Sequence, residues 1–172
     1  NIAGGVFEKV NGELSGILID NAVDSVSSVI PNYSYDEIKK ALLKAEKNCF
    51  AVGLTTLDDA MLDYDVSIVI DSLHKSEELK IKVYGMLMPT AENKTNYLEK
   101  GPYKTDKLNI RAFKYFADGA LGSRGAKLLK PYSDDIHNDG LFLSDSLFFQ
   151  KEAAYLKEKG FQMNTHCIGD RA

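Results

Sequence analysis

"NIRAFKYFADGALGSRGA", residues 109–126, decides how the chain is read. Its first two thirds, through Ala120, are rich in apolar and aromatic residues and read as a strand. If that strand is regular, Ile110, Ala112, Lys114 and Phe116 share one face. The strand runs straight into Asp118-Gly119 and then into glycines at 119, 122 and 125. A strand that ends in polar groups and a glycine loop is typical of parallel α/β folds, whose working residues stand at carboxyl ends of strands.

The neighbouring segments fit such a fold. Upstream, "KIKVYGMLM" (80–88) reads as a strand stopped by Pro89. Before it, "DYDVSIVIDSLHKSEEL" (63–79) sets Val66, Val69, Ile70 and Leu73 on one helical stripe. "LTTLDDA" (54–60) reads as a strand that ends in Asp58 and Asp59. "IPNYSYDEIKKALLKAEKNCFAVG" (30–53) reads as a helix with Ile38, Ala41, Leu42, Ala45 and Cys49 on one face. Ser34 and Glu37 have the spacing of a capping box, and Gly53 is the stop. Thr90–Lys107 is polar and predicts a short helix and a loop. Downstream, 121–143 is long, polar and glycine-containing, as functional loops are. "SLFFQKEAAYLKEKG" (146–160) then reads as a helix and "FQMNTHCI" (161–168) as a strand. At the start, "GGVFEKVNGELSGILID" (4–20) has Asn11-Gly12 between strand-like runs, Gly5–Val10 and Gly16–Asp20, which predicts a hairpin. Alternating helices and strands predict a parallel sheet with crossover helices. A closed eight-stranded barrel takes about 250 residues, so 172 residues hold about half of one.

Composition narrows the function. The net charge of −4 gives no basic footprint, so no nucleic-acid partner is expected. No apolar run reaches the roughly 18 residues of a membrane span, and no membrane partner is expected. Two cysteines, Cys49 and Cys167, make no disulfide framework, which fits a reducing, cytoplasmic setting.

Among the candidate site residues, His166 ends the last strand and is either a metal ligand or proton shuttle, or a half-buried structural histidine. Asp170 either orients it or caps a following helix. Lys114 is unusual on an apolar face unless it snorkels to the rim. Asp118 ends its strand in a turn, and Arg124 meets a carboxylate within the loop. Cys167 reads as a small apolar filler beside His166, and neither His74 nor His137 is given a catalytic role. The glycine spacing is GxxGxxG, without the Gly-Lys-Ser/Thr ending of a phosphate loop.

"FKYFADGALGSRGAKLLKPYSD" (113–134) followed by "GFQMNTHCIGDRA" (160–172) resembles the YtcJ-like amidohydrolases, family 3 of the metal-dependent hydrolase superfamily. Lys114, Phe116, Asp118, Gly119, Leu121, Gly122, Ser123 and Arg124 match one motif of that family. His166, Ile168, Gly169, Asp170, Arg171 and Ala172 match another. "GELSGILIDNAVD" and "AVGLTTLDDA" extend the resemblance over most of the chain.

The resemblance implies part of a TIM (β/α)8 barrel, roughly strands two to five, over residues 1–172, with 1–30 a β-hairpin insertion and 31–172 the βα units. It implies hydrolysis of amide or other C–N bonds in a small-molecule substrate by a water that a divalent metal, commonly zinc, activates. By the same resemblance, His166 is a metal ligand and Lys114 a second, able to be carboxylated and to bridge two metals. Asp118, Arg124 and Asp170 support the site or the substrate. The family's His-x-His, a later ligand histidine and a last-strand aspartate have no counterpart here. The chain therefore reads as the middle of an enzyme, inactive alone, without tightly bound metal, and self-associating through exposed strand edges. The alternative is a non-catalytic α/β binding module that takes an anionic ligand on the Gly119–Gly125 loop.

Overall fold

A computed structural model describes residues 2–172. They form two compact units. The first comprises the chain as far as Pro31, Phe116–Lys151 and Thr165–Ala172. The second comprises Asn32–Tyr115 and Glu152–Asn164.

The first unit opens with the expected hairpin. Strands β1 (Gly5–Val10) and β2 (Glu13–Asp20) pair antiparallel, with Gly5 opposite Asp20 and Val10 opposite Glu13. Asn11 and Gly12 both take positive φ, 53° and 88°, which matches the tight turn to the twist of the strands. β2 begins three residues before the predicted Gly16, since Gly16 lies inside the pairing. A single turn, α1 (Asp24–Ser27), follows without any sequence signal. Beyond Phe116 the unit is mostly loop, with isolated bridges between Asp118 and Phe142 and between Tyr132 and Asp135.

The second unit is built on a sheet of five strands. In chain order its elements are α2 (Tyr35–Ala51), β3 (Thr56–Leu62), α3 (Tyr64–Lys75), β4 (Lys82–Leu87), α4 (Ala91–Tyr97), β5 (Tyr103–Lys104), β6 (Leu108–Phe116), α5 (Ser146–Glu158) and β7 (Gln162–His166). The strand order is β3-β4-β6-β5, with β7 also paired to β6. The last residues of β6 and β7 and the start of α5, as far as Lys151, belong to the first unit. β3–β4 and β4–β6 are parallel, as the alternation predicts. β5 is antiparallel to β6, so the α/β sheet is mixed. Two residues are too few to show periodicity, and the sequence reads them as loop.

Side-chain volume explains the packing. Leu62, Ile70, Leu73, Leu87, Leu108, Ile110 and Phe113 are all fully buried. Phe113 meets Phe161 edge to face, with ring centroids 5.2 Å apart. Glu152 of α5 accepts from Lys94 Nζ at 2.7 Å and from Tyr115 Oη at 2.5 Å. The α2 capping box is present: Ser34 Oγ accepts from Glu37 N, and Glu37 Oε2 accepts from Ser34 N at 2.9 Å. The apolar stripe of α2 is not buried, however. Ile38, Leu42 and Cys49 are half-buried, and Ala41 and Ala45 are exposed. Asp58 and Asp59 also fall inside β3 rather than at its end, which comes at Leu62. β3 is the outermost strand, so water reaches Asp58, and the register shift after Asp59 tolerates a charge.

Candidate functional site

The first unit brings His166, Asp118 and Gly119 together. His166 is the last residue of β7, and its carbonyl accepts from Ala117 N at 2.9 Å. Its ring lies 5.1 Å from that of Phe116. Nε2 is 3.3 Å from the Gly119 carbonyl oxygen and 3.9 Å from Asp118 Oδ1. A carbonyl oxygen only accepts, so Nε2 carries the hydrogen and the neutral ring keeps its lone pair on Nδ1.

Asp118 is completely buried. Its Oδ1 accepts from Ile168 N at 3.0 Å, and its Oδ2 accepts from Lys127 N at 2.8 Å and Gly169 N at 2.7 Å. Burial alone would push this carboxyl up. The three backbone donors and nearby His166 outweigh burial and hold it below the usual range. With both oxygens committed to backbone, Asp118 fixes the path of the loop and of the segment after β7. It is far more than the end of a turn.

Asp20, at the end of β2, is a site residue that sequence reasoning missed. Its carboxylate lies against the Cα atoms of Gly119 and Gly125. Burial pushes the Asp20 carboxyl up, the Asp118 charge adds to this, and His166 opposes it. An anion on the Gly119–Gly125 loop would meet this carboxylate, which disfavours the anion-binding reading.

The remaining candidates make other contacts. Arg124 is exposed, with φ 57°, and pairs with Asp134 through Nη2–Oδ2 at 2.9 Å and Nε–Oδ1 at 3.3 Å. Asp170 neither orients His166 nor caps a helix; its Oδ1 accepts from Leu129 N at 2.8 Å and pins the loop. Cys167, the first residue past β7, is exposed and is not a filler. In the second unit, Lys114 is half-buried near the end of β6, and its Nζ donates to the Tyr115 carbonyl at 3.1 Å. His74 is buried in α3 with Nε2 3.0 Å from the Ile81 carbonyl, a structural placement.

Among the described residues no three of His, Cys, Asp and Glu come together to hold a metal ion. No helix of the described residues is long and apolar enough to cross a membrane.

Comparison with known proteins places these residues in context. The chain is 34% identical to the putative amidohydrolase YtcJ of Bacillus subtilis (strain 168), over 98% of this chain and 33% of that protein. It is 28% identical to the protein LONG AFTER FAR-RED 3 of Arabidopsis thaliana, over 99% of this chain and 31% of that one. It thus spans about a third of the length of these relatives. In fold it is similar to an uncharacterized metal-dependent hydrolase from Pyrococcus horikoshii OT3, with TM-score 0.76, 22% identity, and 96% of this chain and 34% of that one covered. A second such hydrolase, from Pyrococcus furiosus, gives TM-score 0.73 at 22% identity over 87% of this chain and 32% of that one. The amidohydrolase family model matches residues 2–172. With nearly every residue inside that match, and the Asp118 and His166 segments folded around one another, the chain belongs to the amidohydrolase family.

Proposed function

We propose that residues 1–172 are one piece of the catalytic barrel of a metal-dependent amidohydrolase, roughly its strands two to five, with the hairpin as an insertion. The protein hydrolyses amide or related C–N bonds of a small-molecule substrate. His166 and Lys114 contribute to a divalent-metal centre, taken as zinc, and Lys114 does so as a carbamate. The remaining ligands come from the rest of the protein, and this piece is inactive alone because its donor set is partial. The metal, when bound, supplies a Lewis acid that polarises the scissile carbonyl and acidifies water near neutrality.

The observation that carries this reading is the His166 ring. Its Nε2–H is tied to the Gly119 carbonyl, which leaves Nδ1 as a donor, and metal-binding histidines are commonly held in this way. Asp118 does not act as a base here, since both its oxygens accept from backbone. It holds the Gly119 and Ile168 segments around His166 instead. A carbamate on Lys114 would turn a half-buried cation into an oxygen donor.

The test uses the complete protein. His166→Ala and Lys114→Ala should each lower bound zinc, measured by elemental analysis after dialysis, and lower amide hydrolysis by on the order of a hundredfold or more. His137→Ala, in the exposed part of the loop, should change neither. Full zinc content and full hydrolysis in both the His166 and Lys114 variants would refute the reading.

A further inference from the structure

We propose that Asp20 is a positioning residue for His166, acting through Gly119 and Gly125; the functional consequence rests on the reading of His166 as a metal ligand. Three observations converge. First, Asp20 takes φ 52°, a left-handed backbone that a non-glycine residue adopts at a cost. Second, its Oδ2 is buried and accepts no hydrogen bond among the described residues, an expensive state for a carboxylate oxygen. Third, a Cβ added to Gly119 would lie 2.5 Å from Asp20 Oδ2 and 2.6 Å from Oδ1, and one added to Gly125 would also run into Oδ2.

The two glycines therefore have a packing reason unrelated to phosphate. Neither has positive φ, and the atom that an added Cβ would meet first at each position is Asp20 Oδ2. The loop closes on itself through Gly119 N to Gly125 O at 3.1 Å and Gly125 N to Ala120 O at 3.0 Å. The Asp20 side chain is wedged against this closure. The Gly119 carbonyl leaves the same closure and holds Nε2 of His166. The sequence Asp20, Gly119, His166 Nε2 thus fixes which ring nitrogen is free. A hairpin that looks like an accessory to the fold reaches the candidate metal ligand.

The experiment is a double-mutant cycle in the complete protein with two readouts. One is the His166 tautomer in metal-free protein, from ring 15N shifts; the other is zinc affinity by competition. Asp20→Ala and Gly125→Ala should each mix the tautomers and weaken zinc about 10–100-fold. The double variant should be no more than about threefold worse than either alone, because removing Asp20 makes room for the added methyl. Asp20→Asn, which keeps the wedge, should stay within about threefold of wild type. His137→Ala, exposed in the loop, should leave the tautomer unchanged. An unmixed tautomer in Asp20→Ala, or losses that simply multiply in the double variant, would overturn the proposal. Should Asp20→Ala fail to fold, Gly125→Ala decides alone, and an unmixed tautomer there overturns it. A tautomer that depends on Asp20 in a protein binding no zinc would sink the metal reading and leave this one standing.

Discussion

The loop over 117–143 and the sheet over 56–113 are held by opposite means. In the sheet, aliphatic and aromatic side chains fill space: Leu62, Leu87, Leu108, Ile110 and Phe113 are fully buried. In the loop, side chains grip backbone. Asp118 takes three N–H groups, Asp170 takes that of Leu129, and Tyr132 Oη donates to the Ala126 carbonyl at 2.8 Å. Lys127 adds an ion pair to Asp139 at 2.7 Å. A packed sheet tolerates a shape-conserving exchange. A loop in which one carboxylate, Asp118, takes three N–H groups does not, because its loss strands those donors together. Where a histidine must present one chosen nitrogen, directional bonds serve better than apolar contact.

The largest effect that would sharpen this contrast is at Asp118. Asp118→Ala should cost on the order of 3–5 kcal/mol at pH 7 by urea unfolding, since three backbone N–H groups, that of Gly169 buried and those of Lys127 and Ile168 half-buried, lose their acceptor together. That cost should depend on pH. The folded carboxyl lies below its ordinary 3.8, so its stabilisation is complete above about pH 4 and is lost as pH falls through the depressed value. The gap between wild type and Asp118→Ala should therefore shrink on acidification. Phe113→Ala should cost about 3–5 kcal/mol for the lost volume, and equally at pH 7 and pH 3. If the Phe113 cost varied with pH as the Asp118 cost does, the contrast would fail. Smallest is Ser34→Ala, at about 1 kcal/mol from the α2 capping box, read by thermal unfolding.

The same contrast explains what the sequence reveals. Local devices are legible: the Asn11-Gly12 turn and the Ser34/Glu37 box appear where their patterns put them, and of the Val66, Val69, Ile70 and Leu73 stripe all but the half-buried Val66 are buried. β5 was invisible because its pairing depends on β6 rather than on its own two residues. The α2 stripe was legible as a helix but not as exposed, since periodicity does not say what covers a face. At the site, Asp118 and His166 were marked by the family resemblance, and composition left their roles open. Asp118 looked like a turn residue because its three donors come from Lys127, Ile168 and Gly169, remote in sequence. Asp20 carried no local signal at all. Glycines at 119 and 125 are the visible trace of it: in the sequence they are a GxxGxxG spacing, and in the structure they are clearance for a carboxylate.

The most direct test of the central claim is anomalous diffraction at the zinc edge from crystals of the complete protein grown with zinc. A metal peak bonded to Nδ1 of His166, with density for a modified Lys114 in the same coordination sphere and Nε2 still on the Gly119 carbonyl, is the result expected. A well-occupied zinc elsewhere, with the His166 ring uncoordinated, would contradict the account.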